Sequence, residues 1–478
     1  MAPTLASPAP GSNRLLADQA FSRAAGASLI AGNAVRVLKD AGENFPAWRE
    51  AIAGARSSIH FESYIFDDDR IGAGFRDALA ERAAAGVRVR VLYDWLGSPW
   101  KTVSRFWRPL QQAGGEVRGF NPPRFDSPFG WITRDHRKSL SVDGRIGFVS
   151  GLCASAAWEG RPDRGGDPWR DTGVEIRGPA VADLERAFAQ VWGAAGDPLP
   201  LAELTDPASI GPEGEVALRI VAGAPSAAEI FRLDQFIAAI ARKRLWLTDA
   251  YFVPMALYVQ ALVAAARDRV DVRLLLPGSS DLPLVSPLSR AGYRPLLEAG
   301  VRVFEWNGSM LHAKTAVADG RWARVGSTNL NVASFVGNYE LDVAIEDPGI
   351  AAEFERLYEA DLANATEIVL RPRRHMRAAI RRAAQRPRRA SPESSARGAT
   401  AGALRLGRAV GGALTHPREL GNEESRTMFF AAIVLALLAG VGIRWPHVIA
   451  WPVSAVVAWL AVSYVIRAWR GYSSRRPS

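Results

Sequence analysis

The sequence predicts an α/β fold: two duplicated α/β/α halves related by a pseudo-two-fold axis, with a C-terminal transmembrane helical hairpin appended. The first observation behind this is a repeated pattern, His-x-Lys-x-x-x-x-Asp-Gly. It runs from His136 through Lys138 and Asp143 to Gly144, and again from His312 through Lys314 and Asp319 to Gly320. The second is that strand-length and helix-length segments alternate before each copy, the order of an α/β sheet with helical crossovers. The third is a pair of apolar runs near the C-terminus, 428–443 and 445–466, of which the second is long enough to span a bilayer.

A chain of 478 residues exceeds the usual size of one hydrophobic core, and a 48% hydrophobic content supplies material for two. The formal net charge of +10 is unevenly spread, because residues 371–410 hold twelve Arg and a single acid, Glu393. Such a basic segment suits an anionic membrane or a nucleic acid equally. The single cysteine, Cys153, excludes an internal disulfide framework and a Cys-rich zinc site, and the six His are scattered, which argues against a metal centre. Lysine is scarce, five residues against 54 Arg, yet two of the five lie in the repeated motif. Those two positions require a compact ammonium rather than a planar guanidinium.

Residues 1–33 read as a flexible leader, since the first dozen are rich in Pro, Ala and Ser and carry no charged start followed by an apolar core. The first repeat spans 34–194. It opens with a strand at 35–38, then a helix near 45–55, a strand-like run at 57–66, a helix at 71–85 and a strand at 87–94; beyond the motif it closes with strand 169–178 and helix 181–192. Residues 195–213, with Pro and Gly throughout, link the halves. The second repeat, 214–365, has the same order. Its strand 245–253 matches 59–66 and sets Asp249 and Tyr251 opposite Glu62 and Tyr64. Helix 255–267, strand 271–276, helix 284–300 and strand 301–305 deliver the chain to the second motif, and strand 338–345 with helix 350–362 closes the half. Repeats this long are duplicated domains, not solenoid units.

Residues 371–427 read as a basic, disordered tether, and 428–466 as the membrane hairpin. Arg444 separates the two apolar runs, and Arg467, Arg470, Arg475 and Arg476 follow them. By the positive-inside rule both ends stay in the cytoplasm, and the two runs form a hairpin, or a re-entrant first segment plus one span. The expected location is the cell inner membrane, with the globular part on its cytoplasmic side.

On a strand, side chains two residues apart share a face, so each His stands beside its Lys. Joined across the pseudo-two-fold, the two copies place two imidazoles and two ammonium groups in one pocket. That set suits a phosphodiester: paired ammonium groups stabilise charge in the transition state, one imidazole attacks phosphorus and the other protonates the leaving oxygen.

With their flanks, Arg134-Asp-His-Arg-Lys, Trp169-Arg-Asp-Thr, the Tyr64 and Tyr251 strands, Leu311-His-Ala-Lys and Gly326-Ser-Thr-Asn329-Leu-Asn331, these motifs resemble the phospholipase D superfamily. The whole of 34–365 is similar to its cardiolipin synthase branch. The resemblance implies phospholipase D-type halves and ping-pong transfer of a phosphatidyl group between phosphatidylglycerol molecules through a covalent phosphohistidine, with no metal and no cofactor. It assigns His136 as nucleophile and His312 as general acid and then base, roles that the near symmetry leaves exchangeable. It also implies a downstream carboxylate for each imidazole, Asp171 for His136 and Glu340 for His312, to fix the tautomer. Asp143 and Asp319 complete the candidate catalytic set as braces of the motif turns. Ser327 and Asn329 match the family's phosphate pocket in the second copy. In the first, Cys153 stands where the family has Asn, a departure that removes a strong donor.

The implied partners are a phospholipid substrate, phosphatidylglycerol, and an anionic membrane surface reached through the tether. No protein partner is expected, and no nucleic acid, because no aromatics interleave the basic run. With water as acceptor the same His pair would act as a phospholipase D releasing phosphatidic acid. A non-catalytic binder of anionic membranes is the alternative from a different class, and the intact motifs stand against it.

Overall fold

The structure, a computed structural model, describes residues 10–98, 105–123, 132–160, 166–282, 285–370 and five isolated positions between 451 and 462. The first half runs α1 (Pro10–Ala25), β1 (Ile30–Lys39), α2 (Asp40–Gly54), β2 (Ser58–Ser63), α3 (Arg70–Ala84), β3 (Arg88–Asp94), α4 (Arg108–Gln112), β4 (Glu116–Phe120), β5 (Lys138–Val142), β6 (Ile146–Ser150), β7 (Thr172–Arg177) and α5 (Val181–Ala194). The second runs β8 (Val216–Gly223), α6 (Glu229–Ile240), β9 (Arg244–Thr248), α7 (Ala256–Arg267), β10 (Asp271–Pro277), α8 (Val285–Ala291), α9 (Tyr293–Glu298), β11 (Arg302–Trp306), β12 (Thr315–Ala318), β13 (Trp322–Gly326), β14 (Glu340–Glu346), α10 (Pro348–Leu362) and β15 (Ala365–Ile368). The order of strands is β15-β11-β10-β9-β12-β13-β14-β8-β1-β7-β6-β5-β2-β3-β4, so the halves join where β1 pairs with β8.

Within each half the crossovers are parallel and the motif hairpin is antiparallel. β2 and β3 run parallel, β5 runs antiparallel to β2 with Ser63 opposite Lys138, and β9, β10 and β12 repeat the arrangement with Thr248 opposite Thr315. The C-terminal ends of the parallel strands therefore lie beside the start of the motif strand in both halves. Open α/β sheets place their chemistry at such strand ends. Each half has its own core, around Phe45, Phe61 and Phe75 in the first and Leu233, Leu262 and Leu274 in the second. A third cluster draws on both, with Val149 and Val174 packed among Leu218, Val325 and Leu341. That shared core fixes the halves against each other.

The motif aspartates are turn braces in this fold. Asp143 and Asp319 both hold φ near +55°, a left-handed conformation that Asp tolerates better than most residues, each followed by a glycine at positive φ. The Asp143 carboxylate accepts from the backbone N–H groups of Arg56, Ser57 and Ser58 at 2.7–2.9 Å, and Asp319 accepts from Arg242, Lys243 and Arg244 at 2.7–3.0 Å. Against the upward push of burial, those donors hold the Asp143 carboxyl below its usual range. Five residue steps along extended strand, about 16 Å, separate each Asp from the Lys of its motif, so neither reaches the pocket. Their contacts are those of turn braces, made to backbone N–H groups of the neighbouring strand starts.

The expected leader is also corrected. Residues 10–25 form α1, whose Phe21 ring meets Phe236 of α6 edge-on at 4.8 Å, and β1 already begins at Ile30. Composition concealed this, because a short, Ala-rich helix carries few apolar anchors. The expected tether at 371–427 lies outside the described residues, as does nearly all of the expected hairpin at 428–466. Among the described residues no helix is long and apolar enough to cross a membrane. Replacing Phe21 with Ala should cost about 1–2 kcal/mol, the value of a partly buried aromatic ring. Urea unfolding of the variant measures it, and an unchanged midpoint would show that α1 adds nothing to the fold.

Candidate active site

Two isolated bridges connect the halves beside the motifs. Asp135 pairs with Tyr339 and Arg170 with Leu311, through His136 N to Tyr339 O (2.9 Å), Arg170 N to Met310 O (3.0 Å) and His312 N to Arg170 O (2.7 Å). The segment entering each motif histidine thus runs against the segment that carries the other half's carboxylate.

The consequence is a crossed pairing. His136 Nδ1 lies 3.0 Å from Glu340, and His312 Nδ1 lies 2.8 Å from Asp171. The expected pairs, Asp171 with His136 and Glu340 with His312, are corrected. Each imidazole takes its carboxylate from across the dyad, because the bridges bring those strand starts together. A carboxylate at Nδ1 fixes that nitrogen as the donor and leaves Nε2 as the free base.

The lysines complete the constellation. Lys138 and Lys314 each turn the ammonium back onto the carbonyl of their own motif histidine, and Lys314 Nζ also lies 3.0 Å from His312 Nε2. Lys138 stands over the Tyr64 ring and Lys314 over the Tyr251 ring, while the same two rings meet His136 and His312 edge-on. Tyr64 and Tyr251 therefore belong to the pocket wall. All four motif side chains and both carboxylates are buried or nearly so.

Burial governs the electrostatics. It pushes both imidazoles down, and the ammonium groups reinforce it against the pull of the carboxylates, taking His312 to about 3. Burial also pushes Lys314 down, to about 8. Asp171 and Glu340 are lowered against the push of burial: although burial opposes ionisation, the adjacent imidazole and lysine hold each carboxyl below its usual range. Burial thus favours neutral imidazoles beside ionised carboxylates, and an entering phosphodiester anion favours protonating a ring.

The two copies differ in how the carboxylate is held. Ser327 Oγ donates to Glu340 Oε2 at 2.5 Å and accepts from Leu341 N, so this hydroxyl supports the dyad rather than an open phosphate site. Its counterpart is Gly151, where a Cβ would stand 2.3 Å from Asp171 Oδ1. In place of a serine, Trp158 Nε1 donates to Asp171 Oδ2 at 2.8 Å, and the same indole meets the His312 ring edge-on, with Trp169 on another side. Asn329 is buried and its Oδ1 has no hydrogen-bond partner among the described residues. Cys153 is buried in the core of the first half, and burial pushes its thiol up.

Other buried polar groups support this arrangement. The Arg137 guanidinium, between His136 and Lys138 in sequence, donates to Glu340 O, Ala187 O, Gly223 O and Gln190 Oε1, tying the motif to the second half. Arg170 bonds Asp361 and Asp40 beside the other carboxylate. Asp249 accepts from Tyr251 N and Leu330 N, fixing the tyrosine and the loop of Asn329, and burial pushes its carboxyl up to about 7. Glu62 accepts from Ser139 Oγ behind the first motif. His60 is a packed residue, stacked on Phe188 at 4.8 Å. Trp158 escaped the sequence analysis, and Arg137 and Arg170 entered it only as members of quoted motifs, without a role. Arg137 was visible only as a break in the repeat, opposite Ala313, and Trp158 has no counterpart at all.

A family model described as cardiolipin synthase, phospholipase D-like domain, matches residues 48–192 and 236–362. Cardiolipin synthase A of Pseudomonas aeruginosa is 38% identical over 360 residues, covering 73% of this chain and 71% of that protein. Cardiolipin synthase of Geobacillus thermodenitrificans is 37% identical over 310 residues, covering 64% of this chain and 61% of its own. The crystal structure of phosphatidylserine synthase from Haemophilus influenzae Rd KW20 shares the fold, with a TM-score of 0.57 at 14% identity over 73% of this chain and 91% of that one. Duplicated halves with a His-Lys pair from each at one dyad define a phosphatidyltransferase of the phospholipase D superfamily. Within that superfamily, the chain belongs to the cardiolipin synthase family of phospholipase D-like domains.

Two outcomes are expected. Because attack needs a neutral ring and burial lowers both imidazoles, the acid limb of kcat/KM should lie below pH 6.5; a limb at or above that value would contradict the electrostatics. Trp158→Phe keeps an aromatic ring but removes a donor that favours ionised Asp171, so the Asp171 pKa rises and the acid limb moves upward. The accompanying fall in kcat should be about tenfold, the value of one hydrogen bond to a charged group. An unchanged pH profile would reduce Trp158 to packing.

Proposed function

We propose that this protein is a membrane-anchored cardiolipin synthase, transferring a phosphatidyl group from one phosphatidylglycerol to another through a phosphohistidine. The observation that carries the reading is the crossed pairing of each imidazole with a carboxylate beside two ammonium groups. In the first step His136 Nε2 attacks phosphorus, the bond from phosphorus to the glycerol oxygen breaks, and His312 supplies the proton that releases glycerol. In the second, neutral His312 takes the proton from a hydroxyl of the incoming phosphatidylglycerol. The new phosphorus–oxygen bond forms, the phosphorus–nitrogen bond breaks, and cardiolipin leaves with His136 restored.

His136 is the nucleophile in this scheme because its side chain is the less enclosed, 12% exposed against 5% for His312. His312 is walled by Trp158, Trp169 and Tyr251, which suits a group that must hold and return one proton. Lys138, Lys314 and the Asn329 amide receive the phosphoryl oxygens. The two C-terminal apolar runs and their Arg flanks anchor the chain in the inner membrane with the catalytic body on the cytoplasmic side.

The purified full chain, supplied with phosphatidylglycerol labelled in its acyl chains, should yield cardiolipin and free glycerol. Phosphatidic acid as the main product would make the enzyme a hydrolase, and no turnover would contradict both. His136→Asn should abolish acid-labile label on the protein, whereas His312→Asn should still acquire it from a phosphatidyl p-nitrophenol, whose leaving group needs no proton; the reverse pattern would exchange the two roles.

A further inference from the structure

Nine large aliphatic side chains stand exposed among the described residues before 371, and six of them sit in the segments that connect the site-bearing strands: Leu96, Ile132, Leu282, Leu288 on α8, and Val332 and Val336 in and beside the helical turn 333–337. Ile132 and Val332 are 60% and 57% exposed. The remaining three lie elsewhere, Leu201 in the linker, Ile240 at the end of α6 and Val369 after β15. Scattered exposed apolar residues need no explanation, but a concentration around one site does.

Hydrogen bonds fix the place of these segments beside the pocket. Leu96 N donates to Asp94, whose carboxylate also receives Arg134 and the Asp135 N–H, directly before His136. Ile132 is two residues from Arg134. On the other side, Tyr251, whose ring meets His312, donates its hydroxyl to Asp281 next to Leu282. The Tyr251 carbonyl receives Asn331, which in turn holds Ser334 N between Val332 and Val336. Ser289, next to Leu288, bonds the Phe252 carbonyl. Both halves thus contribute apolar side chains one or two hydrogen bonds from the walls of one pocket.

We propose that these side chains form a lipid-docking rim that enters the headgroup and upper acyl region of a phospholipid leaflet and seats the pocket against it. This rests on the phosphatidyltransferase reading, and the chemistry of that reading selects the occupant. The motif histidines and lysines are buried, so a phosphodiester carrying two acyl chains must rise from the bilayer to reach them. A rim embedded at the interface shortens that rise and keeps the chains in an apolar medium throughout. A second copy of this chain docked on the same segments would close the pocket to its substrate.

Environment-sensitive fluorophores on the full chain test this directly. The only native cysteine, Cys153, is buried, so Ile132→Cys or Val332→Cys labels selectively, with Leu201→Cys and Ile240→Cys as controls away from the pocket. In vesicles of phosphatidylglycerol and phosphatidylcholine with brominated chains, labels at 132 and 332 should be quenched and those at 201 and 240 should not. Equal quenching at all four positions, or none at 132 and 332, overturns the proposal. So does a label that responds to protein concentration without lipid, which would point to a second copy.

A kinetic arm separates this inference from the functional reading. Ile132→Asp/Val332→Asp should lower turnover of vesicle phosphatidylglycerol about tenfold, because an apolar interface rejects carboxylates, while turnover of a short-chain, monomerically dispersed analogue stays within about twofold. An unchanged vesicle rate, or equal loss on both substrates, contradicts the rim. If the wild type turns over neither substrate, the functional reading fails, and the quenching pattern still decides whether the rim meets lipid.

Discussion

The crossed hydrogen bonds between imidazole and carboxylate are the constraint on which the rest depends. Glu340 reaches His136 across 204 residues of sequence and Asp171 reaches His312 across 141. Neither half therefore holds a complete dyad. The shared core of Val149, Val174, Leu218, Val325 and Leu341, the β1–β8 junction and the buried Arg137 and Arg170 all serve to keep two strand ends in register across the pseudo-two-fold. Burying six ionisable groups at one place is tolerable only because each has an opposite charge or a hydrogen bond beside it.

The near symmetry is also where the two copies divide their labour. Ser327 braces Glu340 with a hydroxyl, whereas Gly151 leaves no room for one and Trp158 braces Asp171 with an indole N–H. That indole also walls the His312 ring, making its surroundings tighter and more apolar than those of His136. Burial lowers both rings, and the second environment lowers His312 to about 3. Duplication supplied two equivalent imidazoles, and these substitutions around them made them unequal.

Much of this was legible in the sequence. The spacing of His136, Lys138 and Asp143 against His312, Lys314 and Asp319 revealed the duplication, and the alternating segments revealed the α/β character of each half, though not the order of strands in the sheet. The resemblance pointed to both carboxylates but paired each with the histidine of its own half, because position along the chain records nothing of which strand ends meet across a dyad. Trp158 was illegible for a related reason: it acts only through a contact with Asp171 and His312 that no periodicity encodes. The helix at residues 10–25 was hidden by an Ala-rich composition that carries little hydrophobic pattern.

The crossed pairing is tested most directly by nitrogen-15 spectra of labelled histidine in the full chain, with His136 and His312 assigned by their Asn variants. Asp171→Asn should shift the Nδ1 resonance and tautomer balance of His312 and leave His136 unmoved, and Glu340→Gln should do the reverse. If Asp171→Asn instead perturbs His136 alone, each half holds its own dyad and the crossed pairing is wrong.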